Sequence, residues 1–451
     1  MGRHIAAIVL IFFLASVAWL VLGATIFLRT ENSDRQLKSQ VVSTWGSMQE
    51  QRTPRATYWG PETPQSLEAA AAAAAAAQSS GNRQVSGVIP YSSTTPVPDA
   101  TNTRIVAPGK REAKRALPLD QTRVQATIDL EHRQKGLLWY STYAVAFNGE
   151  WTFRNDSGAA QDVTLAFQLP AERAIYDGLE ITADGQPLAT QPLGDHLFAT
   201  VRMPAGANTR LGARYRSQGL DRWTYHMGGV ATPVRDFDMK LRTNFKRVDF
   251  PMNSLSPTTR TRQGNGWELA WKYQNLVSGY PIALAMPARL QPGPVAGRIS
   301  LFAPVALLFF FFLMFIITTL RGIDLHPMNY FFLAAAFFAF HLLLAYLVDW
   351  IPLGGAFAIA SAVSVFLVVS YLRLVVGMRF AAVEAGLTQL VYLVGFSAAF
   401  FLEGMTGLAI TIGSVLTLFI VMQLTGRIRW GERFARGRER GPAGAVIPER
   451  T

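Results

Sequence analysis

The chain has six histidines, and the imidazole of histidine is a common metal ligand and a common general acid or base. They are His4, His132, His196, His226, His326 and His341. No two of them have the spacing of metal ligands, and the sequence contains no HExxH, GxSxG, SxxK, P-loop or GxGxxG motif. The absence of cysteine excludes thiolate metal sites and a cysteine nucleophile. We therefore predict a protein that is not an enzyme, with no catalytic residue, no cofactor and no metal.

Polar residues inside long apolar segments are stronger candidates for function, because they are costly in lipid. His341 lies in the middle of one such segment, where it predicts either a proton or ligand site or a hydrogen bond between helices. Glu384 lies at the end of another, close in sequence to Arg373 and Arg379. It predicts either a functional carboxylate or an ion pair at the membrane interface.

Membrane-spanning helices are predicted to position these residues. The composition is 50% hydrophobic and only 16% charged, which is typical of a membrane protein. A bilayer core of about 30 Å needs roughly 20 apolar residues in a helix. Six segments are predicted to span the membrane: 5–28, 299–320, 330–348, 356–372, 385–402 and 407–425. The first is longer than the apolar core of a signal peptide and ends without a clear cleavage site. We interpret residues 1–29 as an uncleaved anchor and residues 299–426 as a five-helix bundle.

The distribution of arginine predicts that both termini are cytoplasmic. The arginines on the predicted cytoplasmic side are Arg3, Arg321, Arg373, Arg379 and those of the basic tail 427–451. The opposite short loops contain Asp349 and Glu403 and no lysine or arginine. We therefore expect a multi-pass membrane protein with the long segment between the first two spans outside, which in a bacterium with two membranes means the periplasm.

This long segment has two parts of different composition. Residues 30–119 include a run of nine alanines at 69–77 and much Ser, Thr, Pro and Gly, which predicts a low-complexity tether. In residues 120–298 apolar and polar residues alternate, and Asn148-Gly149 is a turn signal between aromatic-rich stretches. Many short strands at such spacing predict a large all-β, sandwich-like domain.

The formal net charge of +12 lies mostly in this predicted periplasmic segment. A basic face there predicts contact with anionic lipid, lipopolysaccharide or a cell-wall polymer, and the alternative is ordinary solvated charge. The arginines of the 427–451 tail are explained by the anionic inner leaflet of the bilayer. We therefore predict the lipid bilayer and a periplasmic protein, lipid or wall component as partners, and no nucleic acid.

The C-terminal half carries an unusual motif, Leu325-His326-Pro327-Met328-Asn329-Tyr330, directly after the second span. His341 and a leucine run follow in the third span, and the last span ends in the basic segment 427–430. Together with the anchor and the strand-rich segment 136–153, this pattern resembles the CreD family of inner-membrane proteins, over roughly residues 120–430. The resemblance implies a role in cell envelope integrity, often under a two-component stress response, and implies no reaction, cofactor or catalytic residue.

The favoured interpretation is an inner-membrane protein that contributes to envelope integrity by binding a partner or lipid through its β domain. The first alternative is a transporter or lipid-handling protein that uses the C-terminal bundle, and the second is an envelope hydrolase. The candidate functional or motif residues are Leu325, His326, Pro327, Met328, Tyr330, His341 and Glu384. Pro327 is expected to start the third helix cleanly. His326 is expected to contact lipid phosphates or the arginines of the tail.

Overall fold

A computed structural model describes residues 2–61, 103–107, 110–135, 138–172, 174–228, 233–402 and 404–426. The chain divides into two compact units. A helical unit contains the described residues of 1–37, 134–139 and 290–451, and a β unit contains those of 38–133 and 140–289. The predicted tail 427–451, the alanine run 69–77 and Glu403 lie outside the described residues.

Six helices among the described residues are long and apolar enough to cross a membrane, as predicted. In chain order they are α1 (Gly2–Trp45), α2 (Pro292–Arg321), α3 (Pro327–Leu347), α4 (Leu353–Val375), α5 (Phe380–Phe401) and α6 (Thr406–Thr425). α2 begins with a proline in its first turn and ends at Gly322, whose φ of 66° is favourable only for glycine. α5 is irregular, because its segments Phe380–Ala385 and Leu390–Gly395 are π-helical.

The helical unit is packed by aromatic side chains and by close approach at glycines. Phe310 of α2 and Phe337 of α3 are both fully buried, with ring centroids 4.9 Å apart. A Cβ at Gly297 of α2 would lie 2.9 Å from the Phe27 ring of α1, so this glycine allows the two helices to approach closely. Small residues at helix crossings are typical of membrane proteins, in which dispersion contacts between helices replace the hydrophobic effect.

The β unit contains three sheets built from seventeen described strands. In chain order the strands are β1 (Gln49–Arg52), β2 (Arg55–Pro61), β3 (Thr103–Ala107), β4 (Lys110–Ala116), β5 (Leu119–Lys135), β6 (Leu138–Arg154), β7 (Gln161–Gln168), β8 (Tyr176–Ala183), β9 (Gln186–Pro187), β10 (Gln191–Leu193), β11 (His196–Met203), β12 (Asn208–Leu220), β13 (Arg222–His226), β14 (Pro233–Thr243), β15 (Thr259–Gln263), β16 (Gly266–Val277) and β17 (Ile282–Ala285). The sheets have the orders β1-β13-β17, β10-β11-β7-β2-β4-β3 and β15-β16-β14-β5-β6-β12-β8-β9. The predicted fold class, six spans with a large β domain, is confirmed.

The predicted low-complexity tether at 30–119 is wrong at both of its ends. Helix α1 continues past the membrane-length segment to Trp45, and an ion pair one turn apart, Glu31 with Arg35, supports this extension. Strands β1 and β2 follow directly, and β3 and β4 lie in the second half of the segment. Residues 62–102 and 108–109 of the predicted tether lie outside the described residues.

The error arises because β1 places polar side chains in a protein core. Gln49 and Gln51 are fully buried. The Gln49 Nε2 donates to the Ser217 Oγ at 2.7 Å, and the Gln51 Oε1 accepts from the Tyr215 hydroxyl at 2.8 Å. A strand that buries glutamines in the core has no apolar alternation for sequence reasoning to detect.

The turn predicted at Asn148-Gly149 is also wrong, since β6 runs without interruption through both residues. The glycine is needed for packing, because a Cβ there would lie 2.3 Å from the Cη2 of Trp151. Trp151 is fully buried and shares a core with Phe147, Phe167 and the aromatic residues of β13. A glycine inside a strand here makes room for a large neighbouring ring.

This aromatic core predicts a loss of stability at alkaline pH. Burial raises the pKa of Tyr225 from 10.0 to about 12, so the folded state favours the neutral phenol. The stabilisation of the folded state by neutral Tyr225 is complete below pH 10. It is lost between pH 10 and 12, because Tyr225 ionises in the unfolded chain before it ionises in the folded one. The shift corresponds to about 3 kcal/mol. We expect the unfolding free energy of Tyr225→Phe to fall less between pH 10 and 12 than that of the wild type. Denaturation of the full chain at a series of pH values measures both.

Tyr225→Phe also removes the hydroxyl that accepts from the Trp151 Nε1 at 3.1 Å and lies 3.1 Å from the Thr53 Oγ1. The variant is therefore expected to be about 1 kcal/mol less stable at neutral pH, which is the net value of a typical hydrogen bond. The comparison of interest is the slope of stability against pH. An equal alkaline slope in both proteins would contradict the prediction.

Candidate functional site

The 325–330 motif forms the start of α3. His326 is the N-cap residue, and its Nδ1 accepts a hydrogen bond from the backbone N–H of Met328 at 3.2 Å. Pro327 occupies the first turn, where its missing N–H costs nothing. The prediction that Pro327 starts this helix is therefore confirmed.

The other motif residues point to different surroundings. Leu325 and Tyr330 are buried, and the Tyr330 ring meets the Phe311 ring edge-on at 5.3 Å. Met328 is half exposed. The motif thus provides a helix cap and a packing contact. Its side chains do not surround a common site. The predicted contacts of His326 with lipid and with the tail stay predictions, because the tail lies outside the described residues.

His341 is fully buried in the helical unit. Its Nδ1 lies 2.9 Å from the carbonyl oxygen of Phe337, one turn earlier in the same helix. Its ring meets the Trp19 ring of α1 edge-on at 5.6 Å. The structure therefore places His341 in an aromatic helix–helix contact, and its hydrogen bond is within α3 instead of between helices.

Glu384 forms an ion pair with Arg321, at the end of α2. The sequence pointed to Arg373 and Arg379 as neighbours, but the partner comes from 63 positions away in the chain. The Glu384 side chain is only 16% exposed, and its Oε2 atom is buried without a hydrogen-bond partner among the described residues. One oxygen of an intramembrane carboxylate is thus paired and the other is not.

Glu384 begins a row of polar side chains, which we call the polar track: Glu384, Thr388, Gln389 and Tyr392 of α5 with Ser364 of α4. The Gln389 Nε2 donates to the Ser364 Oγ at 2.7 Å, and that hydroxyl donates to the carbonyl oxygen of Ala336 at 2.7 Å. The hydroxyls of Tyr392 and Thr417 lie 2.7 Å apart. Ser364 and Gln389 are fully buried.

The π-helical segments of α5 account for the alignment of the track. A π-turn bonds residues five apart, and such segments are found frequently at functional sites. The track occupies the end of the first π segment, the short α-helical segment Gly386–Gln389 and the start of the second. Sequence reasoning selected Glu384 and missed Gln389, Tyr392 and Ser364. A signal was present, because polar residues at 384, 388, 389 and 392 follow a helical repeat.

The β unit carries a second candidate site, an open cleft of about 370 Å³. We call it the basic cleft, and its lining residues are Leu130, His132, Asn244, Phe245, Lys246, Arg247, Asn265 and Pro287. Three of these can carry positive charge, two are amides, and none is a carboxylate. Charge and hydrogen-bond donors of this kind suit an anionic ligand.

Several backbone contacts hold the basic cleft in shape. The Asn244 Oδ1 accepts from the backbone N–H of Leu130 at 2.8 Å, and the His132 Nε2 lies 2.8 Å from the carbonyl oxygen of Pro287. The Trp267 Nε1 donates to the carbonyl oxygen of Lys246 at 2.9 Å. The side chains of Lys246 and Arg247 are exposed. The walls are therefore fixed, while the cations face solvent.

Within the described parts of the chain, no group of three histidine, aspartate or glutamate side chains lies close enough together to hold a metal ion.

Comparisons with known proteins identify a family. The family model described as Inner membrane protein CreD matches residues 63–431. No curated protein matches the sequence. Among solved structures, a candidate nutrient-binding protein from Legionella pneumophila is similar at 10% identity and a TM-score of 0.29, over 43% of this chain and 74% of that one. An M1 zinc metallopeptidase from Deinococcus radiodurans is similar at 10% identity and a TM-score of 0.26, over 38% of this chain and 42% of that one. Such scores are too low to bear on fold or function.

Proposed function

The chain belongs to the CreD family of inner membrane proteins, and from that premise we propose that it supports envelope integrity by binding an anionic envelope component on its β unit. The protein is proposed to act by binding and not as an enzyme. The β unit is proposed to lie in the periplasm, with both termini in the cytoplasm. The bound component is a phosphate-bearing lipid or polymer, for which lipopolysaccharide is the probe.

The observation that carries this proposal is the composition of the basic cleft. Lys246, Arg247 and His132 line one open cleft with two amide side chains and no carboxylate. A concave surface with charge of one sign raises the local concentration of ligands of the opposite sign. Phosphate groups accept charge-assisted hydrogen bonds from lysine and arginine, which are about twice as strong as neutral ones.

The envelope hydrolase alternative gains no support from the basic cleft. His132 and Lys246 are its general-base candidates, and none of the residues that line it carries a hydroxyl or thiol group. The transporter alternative depends on the helical unit.

Charge reversal in the basic cleft tests the proposal. We expect the double variant Lys246→Glu, Arg247→Glu to reduce binding of lipopolysaccharide to the full chain in neutral-lipid nanodiscs by at least about tenfold, since two attractive contacts become repulsive. Wild-type binding should weaken as salt rises, because exposed charges are screened. The same variant should fail to restore resistance to envelope stress in a strain that lacks the gene.

Two controls give this experiment its specificity. Arg262→Glu, Lys272→Glu makes the same change of net charge on exposed residues of β15 and β16 that do not line the cleft. That variant should bind as the wild type does. Dephosphorylated lipopolysaccharide should bind poorly to both. Equal losses in the two variants would show that only overall charge matters and would refute a role for the cleft.

A further inference from the structure

The polar track contains buried acceptor atoms that no side chain or backbone group satisfies among the described residues. The Oε2 of Glu384 and the Oε1 of Gln389 are both in this state. Gln389 is fully buried, and its amide nitrogen is already bonded to Ser364. Ser364 is the central residue of α4, so the track extends from the α2 end at Arg321 to the middle of a membrane-spanning helix.

Such acceptors are costly where no water is present. In the hydrocarbon region every polar group needs a partner, and non-ideal helical backbone is tolerated there where it is buried in protein or lines a hydrated cavity. Buried water commonly bonds to polar groups that the protein leaves unpaired. Two unpaired oxygens beside two π-helical segments therefore indicate water inside the bundle.

The charges around Glu384 define what the track can accept. The charged groups on the helices packed against α5 are Arg298 and Arg321 of α2 and Arg373 of α4, and Arg379 precedes α5 itself. Glu384 is the only carboxylate among the described residues of α2, α4, α5 and α6. An ionisable residue within a membrane helix is by default a candidate functional residue, and proton relays built on glutamate are one of its uses.

We propose that the polar track holds water and that Glu384 is its proton acceptor, so that α5 carries a proton path from the Arg321 end to the middle of the bundle. In the transfer step, a hydronium ion in the track gives up one proton. An O–H bond forms at the Oε2 of Glu384, and a neutral water molecule remains. This site is separate from the basic cleft and does not depend on ligand binding there.

Cysteine accessibility tests for water in the track. The chain contains no cysteine, so an introduced thiol is unique. We expect Ser364→Cys and Thr388→Cys, in the full chain in native membranes, to react completely with a small cationic methanethiosulfonate reagent, because the reagent travels through water. Cysteine is close in size to the serine and the threonine that it replaces. If one of the two variants fails to fold, the other still gives a result.

Two matched controls lie on the same helix. They are Leu393→Cys and Val391→Cys. Leu393 is fully buried among apolar residues, and Val391 lies on an exposed face of the helical unit. Both should stay unlabelled until the protein is denatured in detergent. Absence of labelling at both track positions would overturn the proposal, and so would equal labelling at Leu393→Cys, which would indicate a loosely packed bundle.

Infrared difference spectroscopy tests the proton acceptor. On acidification, the full chain in liposomes should gain the C=O stretching band of a protonated carboxyl group that shifts in heavy water. The chain has 30 Asp and Glu residues, and the others gain the same band in every variant. A component of the wild-type band should therefore be missing from Glu384→Gln, which keeps the shape of the side chain. A control, Asp349→Asn, removes a carboxylate that pairs with Arg29 at 3.1 Å and should retain the Glu384 band. Equal C=O bands in the wild type and Glu384→Gln would overturn the assignment.

Discussion

Gly266→Ala is expected to destabilise the β unit more than any other exchange of glycine for alanine at its hairpins. A Cβ at position 266 would lie 1.6 Å from the carbonyl oxygen of Thr243 and 2.5 Å from its carbonyl carbon. Both atoms belong to the backbone, so no side-chain rotation can relieve the overlap. β14 and β16 would have to separate where the Trp267 N–H bonds to the Thr243 Oγ1 at 3.1 Å. Overpacking typically costs about 1–3 kcal/mol, and we expect the upper end.

The matched control for this prediction is Gly264→Ala in the same hairpin. Gly264 has a φ of +54°, and a Cβ there would meet no atom within 4 Å. Its cost is therefore only that of a left-handed conformation, about 1–2 kcal/mol. Thermal unfolding of the full chain in detergent, followed by near-ultraviolet circular dichroism, measures both variants. A melting temperature for Gly266→Ala at or above that of Gly264→Ala would contradict the steric argument.

The same hairpin shows which features of this chain are readable in the sequence. Gly264-Asn265-Gly266 marks a turn between two alternating segments, and the structure places a two-residue turn there. The six spans are equally direct, because membrane length and apolar composition act locally. Asn148-Gly149 carries the same kind of signal and yet lies within β6. Gly149 is needed because the neighbouring Trp151 ring occupies the space of a Cβ atom. This is a packing requirement of the folded domain, and a sequence rule for turns cannot detect it.

The candidate sites were less predictable because their parts are distant in the chain. Glu384 stood out as an isolated charge, but its partner Arg321 is 63 residues away. The basic cleft combines residues from β5, the loop after β14, the β15–β16 turn and position 287. The π-helical segments of α5 leave no mark in hydropathy, since they change hydrogen bonding and not composition. Sequence patterns show which face of a helix or strand is apolar. The two candidate sites depend instead on which helices and strands pack against each other.

Trp151→Ala is expected to cost about 3–5 kcal/mol, the range for removing a buried tryptophan. Trp151 is fully buried on β6 of the eight-stranded sheet. Its ring lies 6.0 Å from the Phe167 ring of the six-stranded sheet. Its Nε1 donates to the Tyr225 hydroxyl of the three-stranded sheet at 3.1 Å. One side chain therefore contacts all three sheets, and its loss leaves a cavity where they meet.

Trp151→Phe separates the two contributions of this side chain. It keeps an aromatic ring near Phe147 and Phe167 but has no N–H for Tyr225, so part of the volume and one hydrogen bond are lost. We expect it to cost clearly less than the alanine variant, because most of the buried contact area is retained. Chemical denaturation of the full chain, followed by tryptophan fluorescence, gives both free energies. Equal losses in the two variants would show that the hydrogen bond to Tyr225, and not the packed ring, joins the three sheets.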